Sequence, residues 1–143
     1  MNERNLEGAY NLLVNCGQAS AGERLLLCYE QESLDFYDRA VFEDVCTCAQ
    51  EIGLEVIPYE LDFEPVIDAV PNQLEAAIAA ADLTVFLARL ADQMRFGRFK
   101  SDQRTILSYA LNSASLASPF GTVHYKASLA LKQVIDAAVF GAG

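Results

Sequence analysis

The sequence of 143 residues contains one histidine, four cysteines and no tryptophan. No apolar run approaches the roughly 20 residues that a membrane-spanning helix needs, and residues 1–4 do not resemble the start of a secretory signal. Ten basic residues stand against twenty acidic ones, giving a net charge of −10. An acidic surface repels phosphate backbones and anionic lipids. We therefore expect a cytoplasmic protein that binds neither nucleic acid nor membranes.

The shortage of imidazoles and thiols excludes the commonest catalytic centres. A catalytic triad or a zinc site needs several converging histidine or cysteine side chains. Cys46 and Cys48 are two residues apart on a predicted helix, so they point about 200° from each other and cannot readily share a metal. We interpret the single histidine, His124, as a capping or packing residue. The sequence thus predicts no catalytic residue, no metal site and no cofactor, and we do not expect the chain to act as an enzyme by itself.

Apolar residues make up 52% of the chain and charged residues 21%, which is typical of a folded domain rather than of a disordered chain. The length fits one domain, residues 1–143. Four segments have the composition of strands, and the first and third are nearly continuous apolar runs, as in strands covered on both faces. The predicted strands are Arg24–Tyr29, Leu54–Leu61, Leu83–Leu90 and Arg104–Leu111.

Helical spacing separates the predicted strands. A first helix carries an apolar stripe from Leu6 and is expected to end at Gly17 in a left-handed conformation. A second begins near Ser33 or Asp35 and ends at Gly53. A third runs from Asn72 to Ala81, with Asn72 and Glu75 resembling a capping box. A last helix begins near Thr122, and it is defined by the apolar spacing of Ala127, Leu131, Val134, Ile135 and Ala138.

The alternation of strand and helix predicts the fold class. Parallel strands need helical crossovers, and these are right-handed. The expected fold is therefore a three-layer α/β/α sandwich with a mainly parallel four-stranded sheet, flavodoxin-like or Rossmann-like, in the strand order 2-1-3-4. The N-terminal helix is expected to pack on one face of this sheet.

Ligands of such sheets bind beyond the carboxyl ends of the strands. The segment after the first strand contains Glu30 and Glu32 but no glycine, which excludes a dinucleotide fingerprint and a P-loop. A magnesium site of Glu30, Glu32 and Asp62 stays open as an alternative to acidic loops on an acidic protein. A phospho-receiver domain is disfavoured, because Lys126 follows no strand and the chain opens with a helix.

The segment after the third strand is the best candidate for a ligand site. Half of the basic residues lie between positions 89 and 104. We favour the interpretation that Arg95 and Arg98 are solvated and paired with Asp92 and Asp102. In the alternative, Arg95 and Arg98 clamp a carboxylate or phosphate and Asp92 orients it, with Glu30 as a further candidate directly after the first strand.

Several segments together resemble the N-terminal domain of the thermophilic-type metalloaminopeptidases, the aminopeptidase T or leucyl aminopeptidase group. The related ring-opening dihydroxypyridine dioxygenases share that layout. The resembling stretches are Leu12–Cys16, Ala21–Leu26, Ala49–Val56, Ala81–Phe86 and Phe120–Tyr125. The paired metal ions of that family are held by the C-terminal half, so no metal ligand is carried onto this chain.

The resemblance implies a noncatalytic module with a structural or interaction role, which associates with itself or with a partner domain. The alternative, from a different class, is a small enzyme or ligand-binding protein. In that case the segment after the third strand holds an anionic small molecule.

Overall fold

The computed structural model describes residues 3–63, 69–94, 99–100, 102–123 and 125–140. Its sheet contains four strands, and helices cover both faces, so the predicted three-layer α/β/α architecture is confirmed. The strands are β1 Arg24–Glu30, β2 Glu55–Leu61, β3 Leu83–Leu87 and β4 Arg104–Leu107. The helices are α1 Glu3–Tyr10, α2 Arg39–Ile52, α3 Asn72–Ala79, α4 Leu90–Met94, α5 Ser113–Leu116, α6 Pro119–Thr122 and α7 Tyr125–Phe140.

All neighbouring strands are parallel and the order is β2-β1-β3-β4, as predicted. The connection through α2 runs from β1 to β2, whereas the connection through α3 runs back across β1 to β3. Because right-handed crossovers in opposite directions place their helices on opposite faces, α2 and α3 lie on different sides of the sheet. The winding therefore reverses between β1 and β3, which is the topological switch point of the fold.

Each face of the sheet has its own apolar core. Leu25 and Leu27 of β1 face α1 and α2, so the N-terminal helix packs on one face, as predicted. Leu26 and Cys28 face the opposite layer, where Leu74 of α3 is fully buried. Since successive residues of β1 point to opposite faces and both faces are covered, the strand is apolar at nearly every position.

The predicted ends of β3 and β4 are wrong, and tertiary hydrogen bonds explain both differences. β3 ends at Leu87 rather than Leu90, because α4 begins at Leu90 and the Arg89 amide donates to the Glu30 carboxylate. β4 ends at Leu107 rather than Leu111. The four residues that follow it turn toward the start of α2, where the Asp38 amide donates to the Leu111 carbonyl at 2.7 Å.

Helix α2 begins at Arg39, not near Ser33 or Asp35. Residues Glu32–Leu34 form a separate 3₁₀ turn that ends at Asp35, whose φ of 50° is left-handed. At its other end α2 stops at Gly53 as predicted, with φ 92°. Glycine tolerates this conformation without the steric cost that a Cβ would add.

The first and third helices also differ in detail from the prediction. α1 continues as a π-helical segment, Asn11–Cys16, and the left-handed residue beyond it is Gln18, since Gly17 has φ −84°. α3 starts at Asn72 itself, so Pro71 occupies the capping position and the predicted capping box does not form. Glu75 instead accepts a hydrogen bond from the Lys100 amide at 3.1 Å.

The predicted last helix is present as α7, and its apolar positions are not buried where the structure describes them. Val134, Ile135 and Ala138 are exposed, while the side chains of Ala127 and Leu131 lie outside the described residues. Helix α7 starts at Tyr125 because residues Pro119–Thr122 form the separate helix α6. The sheet face beside β4 is occupied by the end of the first helix, where Gly17 approaches Ile106.

Across the described parts of the chain, no helix combines the length and apolarity needed to cross a bilayer.

Candidate ligand-binding pocket

A buried ion pair joins the ends of β1 and β3 at the switch point. Glu30 is the last residue of β1, and Arg89 lies two residues beyond β3. The Glu30 Oε1 atom accepts hydrogen bonds from the Arg89 amide at 2.6 Å and from Nε at 2.9 Å, while Oε2 accepts from Nη2 at 3.0 Å. The Glu30 side chain is only 2% exposed. This bidentate geometry fixes the arginine in one orientation.

Two aromatic rings enclose the guanidinium of Arg89. The Phe36 ring centroid lies 4.1 Å from its Cζ atom and the Phe63 centroid lies 3.9 Å away. Phe36 follows the 3₁₀ turn after β1, and Phe63 lies two residues beyond β2. Planar, weakly hydrated guanidinium groups stack favourably on aromatic faces. Segments after three neighbouring strands therefore meet around a single positive charge.

This arrangement forms one wall of a pocket of about 550 Å³ at the carboxyl edge of the sheet. Tyr109 stands on the β4 side and donates a hydrogen bond from its hydroxyl to Asp92 Oδ1 at 2.7 Å. The rings of Phe36 and Tyr109 are 41% and 61% exposed, so the pocket presents aromatic surface to solvent. The lining residues are Phe36, Tyr37, Phe63, Arg89, Asp92, Gln93, Leu107, Tyr109 and Leu111.

Tyr37 closes the base of this pocket. Its hydroxyl donates to the Ser108 carbonyl at 2.8 Å and the residue is buried. Burial, followed by the negative charge of Glu30, raises the pKa of Tyr37 to about 12. The phenol therefore stays neutral at physiological pH, where it joins the start of α2 to the end of β4 rather than carrying charge to a ligand.

The structure brings together two of the four predicted ligand residues. Asp92 lies in α4 and lines the pocket, whereas Glu30 is buried beneath it as the partner of Arg89. Arg95 and Arg98 lie outside the described residues. The structure therefore does not describe the predicted pairing of these arginines with Asp92 and Asp102.

The magnesium alternative of Glu30, Glu32 and Asp62 is not supported. Among the residues that the structure describes, no group of three or more histidine, cysteine or acidic side chains is placed to hold a metal. Glu30 already has both oxygens bonded to Arg89. His124 lies outside the described residues.

The four cysteines are free thiols. Burial raises the pKa of the Cys28 thiol, which lies inside the sheet, and raises that of Cys48 to about 11. Thiols of this kind are protonated at neutral pH and are poor nucleophiles. Cys28 and Cys48 thus pack as small apolar side chains.

Sequence reasoning missed the residues that shape the pocket, namely Arg89, Phe36, Phe63 and Tyr109. A signal for Arg89 was present, because it lies near the end of the predicted strand Leu83–Leu90, and Glu30 directly follows the neighbouring predicted strand Arg24–Tyr29. Opposite charges at the carboxyl ends of adjacent parallel strands lie at one edge and can pair. The aromatic residues gave no such signal, since their positions depend on turns that the sequence does not specify.

Searches with the sequence find no matching family model and no matching curated protein. Several solved structures resemble the chain in three dimensions. The VinN complex with L-aspartate has a TM-score of 0.48 at 19% identity and is matched over 78% of this chain and 28% of VinN. A 2,5-dihydroxypyridine dioxygenase from Pseudomonas putida KT2440 has a TM-score of 0.48 at 15% identity, over 76% of this chain and 35% of the dioxygenase.

A fatty acid ABC transporter substrate-binding protein from Thermomonospora curvata has a TM-score of 0.44 at 20% identity, over 83% of this chain and 31% of that protein. The chain thus spans about a third of the length of these structures. No metalloaminopeptidase is among the three, so the resemblance drawn from sequence stays a prediction.

Proposed function

We propose that the chain is a noncatalytic α/β module that binds a small planar organic molecule in the pocket at the switch point. The observation that carries this proposal is the convergence of Phe36, Phe63, Arg89 and Tyr109 at the carboxyl edge of the four strands. Ligand pockets are typically concave and largely apolar, with a few oriented polar groups, and open parallel sheets hold ligands at this edge.

The chemistry of the lining favours a flat ring with at least one polar group. Exposed faces of Phe36 and Tyr109 suit ring stacking, while Asp92 and Arg89 offer an acceptor and a fixed donor group. Glu30 already neutralises Arg89. With Asp92 included, the described pocket and Glu30 carry a formal charge of −1, so they hold no excess positive charge for an anion. An anionic ligand, as the sequence predicts, depends on Arg95 and Arg98.

The proposal is tested by titrating the ¹⁵N-labelled chain with benzoate and benzamide, two probes of nearly equal shape that differ in charge. We expect amide chemical-shift changes for both, concentrated at the pocket residues. Tighter binding of benzoate supports the predicted role of Arg95 and Arg98, whereas equal or tighter binding of benzamide indicates recognition of the ring without the charge. Shifts scattered over the surface, or no shifts, contradict the proposed site.

A pair of matched variants connects binding to the pocket. Tyr109→Leu should weaken the Kd for either probe about fivefold, because an aromatic contact is worth about 1 kcal/mol. Tyr10→Leu changes another exposed tyrosine, which lies on α1 outside the pocket, and should leave the Kd unchanged. Equal effects of the two variants would exclude the pocket as the binding site.

The predicted accessory role is a second candidate function, and it is supported by apolar surface away from the pocket. Phe120 is 93% exposed, and Val134, Ile135 and Val139 of α7 are also exposed. Apolar surface of this kind is typical of contacts with another chain or domain. In this proposal the chain is an interaction module like the N-terminal domain of leucyl aminopeptidase-like proteins. Measurement of the oligomeric state of the chain in solution tests this second proposal.

A further inference from the structure

Helix α7 presents a broad apolar face that none of the described residues covers. Its exposed residues include Val134 at 66%, Ile135 at 50% and Val139 at 68%. At about 100° per residue, Val134, Ala138, Ile135 and Val139 span about 140° of the helix circumference, while Gln133 lies outside that arc. A strict coiled-coil seam is narrower. A face this wide suits insertion into a groove better than pairing along one line with another helix.

The chain also carries an open apolar groove beside β4. Leu12, Ile106, Leu116 and Phe120 are among its lining residues, and its volume is about 450 Å³. We call it the β4 groove. None of the residues lining it carries a formal charge. The groove and the exposed face of α7 are therefore similar in chemistry, and each leaves apolar surface in contact with water.

The segment just before α7 is held firmly against the end of the first helix. The Asn11 side-chain amide donates to the carbonyls of Gly121 and Val123 at 2.8 and 2.9 Å. Gly121 approaches Leu116 so closely that a Cβ there would lie 1.9 Å from the Leu116 carbonyl oxygen. Only two residues separate the end of α6 from Tyr125, the start of α7.

A two-residue connection leaves little chain with which α7 could reverse onto its own groove, and short connections favour exchange of an element between copies. We propose that the chain forms a symmetric dimer in which α7 of each copy occupies the β4 groove of the other. This inference goes beyond the proposed ligand pocket, which lies outside the exchanged helix.

The second copy is the occupant that suits both surfaces at once. A two-fold axis places two helices in two grooves, so the contact area is doubled relative to a single docked helix, which moves it toward the roughly 800 Å² per partner of a stable dimer. Because the lining of the groove carries no formal charge, an apolar helix face enters it without leaving a buried charge unpaired.

Light scattering during size-exclusion chromatography tests the dimer with the full chain. The wild-type protein should have twice the chain mass of 15.6 kDa. Val134→Asp places a charge in the apolar face and should weaken the dimer at least about tenfold. The matched control Gln133→Asp adds the same charge on the other side of the helix and should keep the dimer. A monomeric wild type, or equal loss in both variants, overturns the proposal.

Cross-linking identifies the occupant of the groove. Cys16 is exposed and lines the β4 groove, so Val134→Cys places a second thiol within reach of it only if α7 lies there. A short bismaleimide applied to a mixture of isotopically heavy and light copies should link heavy to light chains between position 16 and position 134. Addition of Cys16→Ser should abolish that link.

Any other result contradicts the exchange of α7 between copies. A link between positions 16 and 134 of the same copy shows that α7 closes its own groove. A link between the two introduced thiols that survives Cys16→Ser shows helix pairing instead. A dimer without any link from position 134 shows that another surface holds the copies together.

Discussion

Glu30 and Arg89 hold the carboxyl ends of β1 and β3 together, and the cost of separating them can be measured. Glu30→Gln leaves a largely buried guanidinium without its counter-charge, so we expect the free energy of unfolding to fall by about 3 kcal/mol. Urea denaturation checks this value. Glu55→Gln removes the partner of Arg24 in an exposed pair of 3.7 Å, and should cost less than about 1 kcal/mol. Equal losses would show that burial adds nothing to the Glu30 pair.

Tyr37 predicts a stability loss at high pH. Its pKa rises from 10.0 to about 12 in the folded chain, so folding favours the protonated phenol. This contribution is complete below pH 10 and is lost as the pH rises toward 12, with a total of about 2 to 3 kcal/mol. Tyr37→Phe should flatten the profile over that range. Urea unfolding of both proteins between pH 9 and pH 12 gives the comparison. If the stability of the two proteins fell in parallel with rising pH, Tyr37 would be excluded as the source of the loss at high pH.

Thr84 in β3 has a buried hydroxyl with no hydrogen-bond partner among the described residues. Thr84→Val keeps the shape of the side chain and removes the buried polar group, so we expect a gain of about 1 kcal/mol in stability. Thr105→Val changes an exposed threonine of β4 in the neighbouring register position and should be within about 0.5 kcal/mol of wild type. A loss in Thr84→Val would indicate that the hydroxyl is satisfied.

At the scale of single residues, the sequence identified Glu30 and Asp92 because acidic side chains close to apolar strands can be located from pattern alone. It did not identify Phe36, Phe63 or Tyr109 as pocket residues. Phe36 follows a turn in which the left-handed residue Asp35 redirects the chain, and Phe63 and Tyr109 lie two residues beyond β2 and β4. Neither hydrophobic period applies in these connecting segments. The pocket walls were therefore less predictable than the apolar interiors of the strands.

Gly8 sets the spacing between α1 and α5, and an element-level prediction follows from it. A Cβ at this position would lie 2.0 Å from the Leu116 carbonyl oxygen, which is backbone and cannot rotate away. Gly8→Ala should destabilise the chain by about 1 to 3 kcal/mol, although alanine favours an isolated helix by about 1 kcal/mol. Thermal unfolding measures this loss of stability. Glu7→Ala, at an exposed position of the same helix, is the control. A stabilised Gly8→Ala protein would mean that the helices separate freely.

The elements show where periodicity suffices and where it fails. β1 and β3 were located from their continuous apolar runs because burial on both faces determines composition locally. The end of β4 was missed, since the hydrogen bond from Asp38 to Leu111 links residues far apart in sequence. In α7 the apolar spacing located the helix but did not show which surface its apolar residues contact. An apolar stripe indicates which face of a helix is to be buried, but it does not indicate which surface covers that face.

For the whole molecule, the strand order was predictable because alternating strands and helices leave few right-handed solutions. That order places the ends of β1 and β3 side by side, and the ion pair, the aromatic rings and the pocket all depend on it. The proposed dimer uses α7 and the β4 groove, which shares only Leu107 and Tyr109 with the residues that line the ligand pocket. The two proposals are separable, because Val134→Asp alters the dimer contact and leaves every pocket residue intact.

The net charge of −10 gives a prediction for the molecule as a whole. Repulsion among exposed carboxylates opposes compaction, and raising the salt concentration from 0.01 to 0.1 M shortens the screening length from about 30 to about 10 Å. We therefore expect the Tm at pH 7.5 to rise with salt over this range. Near pH 4.4, where the net charge vanishes, the rise should disappear. An equal rise at both pH values would indicate specific ion binding or stronger burial of apolar surface, because neither of these depends on the net charge.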